Sequence, residues 1–403
     1  MHPGCLPVFV LSLCCLALSP AVSGQAPVRS GADQVATAGN DPLRGRKCGL
    51  ITNHTGLTQD GKRTIDVLFA RDDVDLKAIF SPEHGITGKL DQSEIGHGTD
   101  QATGLPIWSL YAEKSRRPTA RMLEGLDTLV FDIQDIGCRF YTYISTMGIC
   151  LEAAAEHGMR FVVLDRPNPI DGVQVAGPLL DAGSETFVGY HRIPVRHAMT
   201  VGELMQLFVA DKDLQVDAQV VPCQGWTRPM TFDETGLTWV NPSPNMRSLT
   251  EALLYPGIGL LEGTNLSVGR GTDTPFEILG APWCDGPKLW RKLQEANLPG
   301  VSFVPTRFTP DASKFKNQEC GGIQIAITDR STFAPIATGL TIACALRDLF
   351  PEDWKHERLN WLLRNRAIHE AFAVGAEYPE LHAMWQAETA AFAQRCKPYL
   401  IYR

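Results

Sequence analysis

The sequence predicts an α/β protein in which a parallel sheet is followed by a smaller α+β domain. Up to about Val221 the chain alternates between short apolar runs, typical of buried strands, and segments with helical spacing. The connections between the runs are too long for hairpins, so the strands run parallel with right-handed crossovers. From about Glu251 onward this alternation stops, which indicates a second domain. The predicted division is 25–245 and 246–403, after an N-terminal segment at 1–24.

Four apolar runs are the predicted strands of the parallel sheet, and each ends in a cluster of polar residues. The runs cover residues 49–52, 76–80, 129–131 and 161–164, and the clusters that follow are 53–56, 81–85, 132–135 and 165–169. The carboxyl ends of parallel strands meet at one edge of a sheet, where ligands bind in open α/β folds. The sequence therefore predicts one pocket built from these four strand ends.

Helices are predicted from apolar spacing and from residues that start or stop them. The predicted helices are 64–70, 119–126, 143–157, 340–350 and 379–395. Gly158 is positioned to end the third of these. Thr200 with Glu203, and Ser248 with Glu251, form capping boxes that start two more helices. A strand is predicted at 322–327, and a proline-rich loop or domain junction at 239–246.

Charge and motifs exclude several classes of function. The 403-residue chain has a net charge of -8 and no run of lysines and arginines, so nucleic acid is not an expected partner. Neither G-x-G-x-x-G nor the P-loop pattern occurs at a strand-to-helix turn, so NAD and ATP are excluded as expected ligands. No G-x-S-x-G elbow supports a serine nucleophile. No cofactor is expected.

Residues 1–24 are predicted to be a signal peptide. Residues 6–21 are nearly all apolar and uncharged, and 22–24 offer small residues for cleavage. A retained anchor is the alternative, but about 16 apolar residues fall short of the ~20 that a span needs. We therefore expect a secreted or periplasmic protein without stable membrane insertion. Beyond this segment the cysteines lack zinc spacing and are expected to be buried free thiols, with at most one or two bridges.

Glu83 is the first candidate for chemistry. It lies in the string Ser-Pro-Glu-His-Gly, where Pro82 restricts the backbone and Gly85 frees it, so its carboxylate is held at a strand-to-loop corner. A shielded carboxylate at this corner can serve as a general acid. The structural alternative is a helix cap or a salt bridge with His84.

The third strand end offers Asp132 and Gln134. In a functional interpretation, Asp132 orients a substrate group or a water molecule; in a structural one, an aspartate here simply pairs with Arg139. The stretch 139–143 also supplies Arg139 as a guanidinium for a carboxylate and Tyr141 as a stacking face for a sugar. Its aromatic residues can equally be core, and for Phe140 this is the preferred interpretation.

Two further polar segments are rich in proline or glycine. They supply Asp165, Arg166 and Asn168 from 165–169, and Glu262, Asn265 and Arg270 from 262–272. The first segment is either a rigid pocket wall or a turn closed by an Asx hydrogen bond. The glycines of the second would permit a close approach of backbone to ligand.

Metal-dependent hydrolysis is the chemical rival. His54, His84, Asp132 and Asp165 follow neighbouring strands and could bind a divalent ion. However, no H-E-x-x-H string and no close pair of histidines supports a metal centre. No metal site is therefore assigned.

Taken together, several strings resemble the exo-β-N-acetylmuramidase family, formerly catalogued as a domain of unknown function. The matching stretches are 49–56, 81–85, 103–106, 129–147, 163–172, 241–246 and 255–283, within a similarity from about residue 28 to the end. The resemblance implies a Rossmann-like first domain, a smaller second domain and an active site in the cleft between them. It also implies a glycoside hydrolase that removes N-acetylmuramic acid from the non-reducing end of peptidoglycan fragments.

The resemblance and glycosidase chemistry suggest individual roles. Glu83 is the expected acid, and Asp132 or Glu262 the second carboxylate of a retaining or inverting pair. In a route that uses the substrate's acetamido group, Asp132 or Tyr141 would polarise that group. The lactyl carboxylate of muramic acid calls for an arginine, with Arg139, Arg166 and Arg270 as candidates. The other expected substrate-binding residues are Asn53, His54, His84, Gln134, Asp165, Asn168, Asn245 and Asn265.

One position departs from the resemblance, since Ala198 stands where the family generally shows glycine. This departure concerns the local backbone and none of the expected catalytic positions. The leading hypothesis is an exported exo-muramidase that acts in cell-wall recycling on peptidoglycan fragments. The alternatives are a non-catalytic periplasmic muropeptide-binding protein and a metal-dependent hydrolase. The oligomeric state is left open.

Overall fold

The computed structural model describes Met1 and residues 26–37, 41–88, 95–112 and 116–403. The strands are β1 (Lys47–Thr52), β2 (Asp75–Ser81), β3 (Gly98–Thr99), β4 (Pro106–Ser109), β5 (Thr128–Asp132), β6 (Arg160–Leu164), β7 (Ala176–Leu179), β8 (Pro194–Arg196), β9 (Ala218–Val221), β10 (Ile278–Ala281), β11 (Val301–Phe308) and β12 (Cys320–Ile327). The α-helices are α1 (Gly31–Ala36), α2 (Thr64–Phe69), α3 (Ala120–Leu123), α4 (Tyr143–Glu156), α5 (Val201–Asp211), α6 (Leu249–Ile258), α7 (Gly286–Glu295), α8 (Pro335–Leu349), α9 (Asn360–Leu363), α10 (Arg366–Ala373) and α11 (Tyr378–Arg395).

A seven-stranded sheet in the order β3-β4-β2-β1-β5-β6-β9 forms the first part of the protein. Every neighbouring pair is parallel except β3 with β4 at one edge. Ile51 of β1 pairs with Phe80 of β2 on one side and with Phe131 of β5 on the other. The four predicted strands are therefore confirmed, and they are neighbours in the sheet. The strand order reverses at β1, which places a crevice at the carboxyl edge.

The predicted helices form, although some of their ends differ. Those predicted at 64–70, 143–157 and 379–395 form as α2, α4 and α11. Thr200 and Ser248 make the expected capping boxes for α5 and α6. Helix α3 is shorter than predicted, because Gly125, with a φ of 77°, turns the chain soon after it ends. Helix α8 begins earlier, at Pro335, since proline is favourable in the first turn.

The second part contains a three-stranded antiparallel sheet in the order β10-β12-β11, against which α7 packs. The strand predicted at 322–327 lies within β12. Helices α6 and α8 approach closely at two glycines. A Cβ on Gly257 would lie 1.9 Å from the carbonyl oxygen of Pro335, and one on Gly339 would lie 2.4 Å from that of Gly257. The predicted fold class, a parallel α/β part followed by a smaller α+β part, is confirmed.

The carboxyl-terminal residues return to the first sheet. The hydroxyl of Tyr402 donates to Asp165 Oδ2 at 2.6 Å, beyond the end of β6, and accepts from the backbone of Cys223 at 2.9 Å. Glu203 on α5 accepts from the backbone N–H of Ile401 at 2.8 Å. The sequence division at 245 and 246 stays a prediction, and in space the chain end packs with the first part.

Ala198 has a φ of 56°, in the left-handed region where glycine is the least costly residue. Its carbonyl accepts a hydrogen bond from the guanidinium of Arg228. The alanine therefore introduces local backbone strain between β8 and α5, as the departure from glycine suggested.

The predicted signal peptide at 1–24 lies outside the described residues, apart from Met1. In the described ranges, no helix combines the length and apolar character needed to cross a membrane. The eight cysteines that the structure describes are all buried and free, so no bridge joins them. Burial raises the pKa of Cys48 to about 12, which keeps it a thiol.

Candidate active site

A cavity of about 210 Å³ lies where the carboxyl edge of the parallel sheet meets the second part of the chain. The predicted residues that line it are Glu83, His84, Tyr141, Asn245, Glu262 and Arg270. The other lining residues are Phe140, Thr142, Val188, Ser243, Met246, Tyr255, Phe276, Trp361 and Leu362. A larger open depression of about 950 Å³ borders α1 and α2 and contains none of the predicted residues. The smaller cavity is therefore the candidate active site.

Glu83 is held at a turn directly after β2. His84 and Gly85 both have positive φ values, 67° and 71°, so the chain reverses sharply at this corner. The half-buried Glu83 side chain lies at the cavity wall. One of its oxygens accepts a hydrogen bond of 2.8 Å from the Tyr111 hydroxyl, and the other accepts from the Thr142 hydroxyl. Two hydroxyl groups thus fix the orientation of this carboxyl group.

Tyr111 and Thr142 are functional candidates that the sequence reasoning misses. Tyr111 follows β4, which pairs in parallel with β2, so its strand end reaches the same edge as Glu83. Recognising 106–109 as a strand would have found it by the strand-end argument. Thr142 is the residue before α4, inside the stretch that supplied Tyr141. Burial and the Glu83 carboxylate raise the pKa of Tyr111 above its ordinary value, so its hydroxyl keeps the proton.

An aromatic cluster forms much of the cavity wall. The ring centroid of Tyr255 lies 5.2 Å from that of Phe140, 5.9 Å from that of Tyr141 and 4.8 Å from that of Phe276. Phe140 is only 3% exposed, so it is a core residue, as expected, that also borders the cavity. Burial keeps the pKa of Tyr141 well above its ordinary value, so this hydroxyl is neutral. The cluster offers a rigid apolar face to a sugar ring.

Glu262 and Arg270 come from the second part of the chain and form an ion pair. Arg270 Nη2 lies 2.8 Å from Glu262 Oε1. The neighbouring glycines have φ values of 82° at Gly269 and 81° at Gly271. A Cβ on Gly271 would lie 2.4 Å from the carbonyl oxygen of Ala312. At Gly271 the contact that excludes a side chain is therefore made by the protein's own backbone, whereas the sequence suggested a ligand.

Two family models cover nearly all of this architecture. The model described as Exo-beta-N-acetylmuramidase NamZ, N-terminal, matches residues 48–250, and its C-terminal counterpart matches residues 253–402. The chain belongs to the exo-β-N-acetylmuramidase NamZ family. The cavity lies between the segments that the two NamZ models match, as the resemblance implied.

Individual relatives agree with the NamZ assignment. The chain is 41% identical over 379 residues to the peptidoglycan beta-N-acetylmuramidase NamZ of Bacillus subtilis strain 168, covering 93% of this chain and 91% of that protein. A crystal structure of a DUF1343 family protein from Bacteroides fragilis NCTC 9343 superposes with a TM-score of 0.87 at 34% identity, covering 94% and 99% of the two chains. A second DUF1343 protein from that strain gives 0.74 at 30% identity, with the same coverage.

Asp132 lies outside the cavity and is completely buried. Its carboxylate accepts hydrogen bonds from Arg166 Nε at 2.6 Å and Nη2 at 3.0 Å, and from the Thr64 hydroxyl at 2.6 Å. The structure pairs Asp132 with Arg166 and not with Arg139. A bidentate guanidinium and a hydroxyl thus occupy both oxygens of Asp132. Neither Asp132 nor Arg166 lines the cavity.

Arg139 is also completely buried, and it does not line the cavity. Its guanidinium donates to the carbonyl oxygens of Pro178 and Ile193 at 3.0 Å each, and to those of Leu362 at 2.9 Å and Leu363 at 2.7 Å. Burial lowers the pKa of Arg139 to about 10, so it remains charged at neutral pH. The residue thus joins the two parts of the chain through four backbone carbonyls.

Asp165, in the polar loop after β6, has a structural role. Asp165 accepts hydrogen bonds from the Thr200 hydroxyl at 2.7 Å, the Tyr402 hydroxyl at 2.6 Å and the Gly202 N–H at 2.8 Å. Burial raises the pKa of Asp165 to about 6. The amides of Gln134, Asn168 and Asn265 donate to the backbone carbonyls of Pro167, Met199 and Asp353. These four predicted residues lie outside the lining of the cavity.

Asn53 and His54 lie behind the loop at 239–246. His54 Nε2 is 2.7 Å from the carbonyl oxygen of Asn241, and the Tyr143 hydroxyl donates to that of Pro242 at 2.6 Å. Asn53 accepts from the Thr55 hydroxyl at 2.6 Å. The contacts of His54 and Tyr143 anchor the loop whose next residues reach the cavity. The first strand end therefore supports the wall and does not line it.

The structure does not assemble the proposed metal ligands. In the ranges given above, no group of three or more His, Cys, Asp or Glu side chains could hold a metal ion. Two of the four candidates, Asp132 and Asp165, are taken by Arg166 and Tyr402.

Proposed function

We propose that this chain is an exo-acting β-N-acetylmuramidase that releases N-acetylmuramic acid from the non-reducing end of peptidoglycan fragments, with Glu83 as the general acid. The observation that carries this proposal is the position of Glu83, with both oxygens hydrogen-bonded, in the cavity between the two NamZ segments. Identity of 41% to a peptidoglycan β-N-acetylmuramidase supports the same substrate class.

The size of the cavity favours exo action. Its volume of about 210 Å³ lies below the ~300 to 1,000 Å³ of ordinary small-molecule sites. Such a space is on the scale of one sugar ring, as an exo-acting enzyme needs for the terminal residue. The aromatic cluster around Tyr255 would pack against that sugar, and the glycosidic oxygen would then lie next to Glu83.

The two partners of Glu83 suit a group that must change its protonation state. Each hydroxyl, on Tyr111 and Thr142, can donate to a carboxylate or accept from a carboxylic acid after rotation. Glu83 can therefore give its proton to the leaving oxygen and receive one back without losing both contacts. Acid catalysis of this kind contributes ~100- to 10,000-fold to the rate.

Glu262 is the candidate for the second carboxylate. Besides Glu83 it is the carboxylate among the described lining residues, and Arg270 at 2.8 Å keeps a positive charge beside it. It can act as a nucleophile, as a base for water or as the group that orients the substrate's acetamido oxygen, and Tyr141 is the alternative for that last role. The anomeric form of the first product, read by proton NMR, distinguishes inversion from the two retaining routes.

The decisive experiment is hydrolysis of a chromogenic β-N-acetylmuramide compared with the matching β-N-acetylglucosaminide. We expect turnover of the muramide, and a loss of about 100- to 10,000-fold in kcat for Glu83→Gln. Glu319→Gln, at an exposed ion pair with Arg307, is the matched control and should keep full activity. Unchanged turnover by Glu83→Gln would remove its role, and binding without turnover by the wild type would favour a muropeptide receptor. Chelation and re-addition of a divalent ion tests the metal-dependent alternative.

We also propose that the protein acts outside the cytoplasm, in the periplasm or after secretion. The uncharged apolar segment at 6–21 and the small residues at 22–24 support a cleaved signal peptide. Mass spectrometry of the mature protein from its host tests this directly. An intact N-terminus on protein recovered from the cytoplasm would contradict it.

A further inference from the structure

Arg116 lies beside the active-site cavity and packs against two neighbouring aromatic rings, whose centroids are 6.1 Å apart. Its guanidinium carbon is 4.6 Å from the ring centroid of Tyr111 and 4.1 Å from that of Phe187. Its Nη2 donates to the Tyr111 hydroxyl at 3.2 Å, and that hydroxyl donates to Glu83 at 2.8 Å. These two contacts put the guanidinium within about 6 Å of the proposed catalytic acid. Phe187 is followed by Val188, which lines the cavity.

Arg116 forms no direct ion pair with a carboxylate in the described ranges, which distinguishes it from two other arginines. Arg166 is paired with Asp132 at 2.6 Å, and Arg270 with Glu262 at 2.8 Å. Arg139 donates to four backbone carbonyls and is sealed from solvent. Arg116, in contrast, is half-buried, so part of this residue is accessible to solvent.

The contacts with the two rings restrict the position of this guanidinium and so prepare it for an anion. A cation–π contact uses the face of a ring and leaves N–H donors of the guanidinium available for hydrogen bonds. A guanidinium held in this way matches the two oxygens of a carboxylate. Muramic acid carries such a carboxylate on a lactyl ether at C3, two carbons from the anomeric centre that Glu83 would serve.

We propose that Arg116 binds the lactyl carboxylate of N-acetylmuramic acid and so selects muramic acid over N-acetylglucosamine. This inference rests on the proposed function, because it identifies the residue that recognises the terminal sugar of the same cavity. Arg116 replaces Arg139 and Arg166 as the candidate for this contact. Arg270 keeps a place in the cavity, where Glu262 already neutralises it.

The test compares a chromogenic β-N-acetylmuramide with its lactyl methyl ester, which keeps the shape and removes the charge. We expect Arg116→Gln to raise KM for the free acid by about 10- to 100-fold, the range for losing a charge-assisted hydrogen bond. KM for the ester should stay near the wild-type value. Arg116→Lys should have a KM for the free acid between those of the wild type and Arg116→Gln, because lysine keeps the charge and loses the forked pair of donors.

Two variants control this comparison. Arg117→Gln removes the next arginine, which pairs with Glu156 at 2.5 Å, and should leave KM for the free acid unchanged. Tyr111→Phe keeps the ring and removes the hydroxyl, so it should lower kcat on acid and ester alike. If Arg116→Gln raised KM equally for both substrates, or for neither, the proposed contact with the lactyl carboxylate would be wrong. Arg116 would then at most position Tyr111.

Calorimetric binding of free N-acetylmuramic acid and of its methyl ester separates the two proposals. The contact is supported, even without turnover, if the wild type binds the acid more tightly than the ester and Arg116→Gln binds both equally. Absence of hydrolysis by the wild type would then count against the proposed function alone. Equal binding of acid and ester by the wild type would overturn the role of Arg116.

Discussion

Replacing Arg139 tests whether this residue binds substrate or holds the two parts of the protein together. Its guanidinium donates to four buried carbonyl oxygens at 2.7 to 3.0 Å. A lysine has three donors on one nitrogen and cannot reproduce this fork. One lysine nitrogen can serve the carbonyl pair of Nη1 or that of Nη2, which leaves two carbonyls without a donor. At ~1–3 kcal/mol for each, Arg139→Lys should lower the free energy of unfolding by roughly 2–6 kcal/mol.

A methionine at this position would leave all four carbonyls without a donor. The same reasoning gives a loss of roughly 4–12 kcal/mol for Arg139→Met, comparable with the ~5–15 kcal/mol that stabilises a typical domain. We therefore expect Arg139→Lys to be folded but destabilised, and Arg139→Met to be recovered poorly. Arg307→Lys, at an exposed ion pair, should stay within about 0.5 kcal/mol of the wild type.

Urea unfolding gives the free energy, and muramide kinetics on the folded Arg139→Lys protein give KM and kcat. The structural role predicts a lower unfolding free energy with a nearly unchanged KM. Wild-type stability together with a strongly raised KM would refute the reasoning, since it would mean that Arg139 contacts the lactyl carboxylate.

Three further predictions follow from buried groups. Asp132→Asn breaks a buried ion pair with Arg166 and should lower the free energy of unfolding by about 3–5 kcal/mol while kcat changes little. A folded variant without activity would contradict this and indicate a catalytic role for Asp132. Burial raises the pKa of Asp165 from 3.8 to about 6, so its protonated form contributes stability below pH 3.8 that is lost as the pH rises through 6. This loss amounts to about 3 kcal/mol between the two pH limits. Asp165→Asn should abolish it in urea unfolding measured across that pH range, and an unchanged pH dependence would contradict the prediction. Gly257→Ala would place a Cβ 1.9 Å from the Pro335 carbonyl oxygen and should lower the Tm sharply, whereas Gly96→Ala, with no atom of the described residues within 4 Å, should not. Equal Tm values would contradict the close packing of α6 and α8.

The sequence determined the elements whose signals are local. Apolar runs predicted the four central strands, and the capping boxes at Thr200 and Ser248 predicted helix starts that the structure contains. The strand-end argument also found Glu83, because a residue that directly follows a parallel strand must lie at the carboxyl edge. The same argument would have found Tyr111 if β4 had been recognised from its four residues.

Only the tertiary structure decided which strand-end residues face the cavity and which are buried beside it. Asp132, Asp165 and Arg139 carry the same functional groups as catalytic or binding residues, and the sequence does not say which donors or acceptors will satisfy them. Their partners, among them Arg166, Tyr402 and the carbonyl of Leu363, lie 34 to 237 positions away in the chain. Contacts over such separations arise when the sheet and the second part of the chain pack together. The order of residues therefore gave the edge of the sheet, and packing assigned Glu83, Glu262 and Arg270 to the cavity.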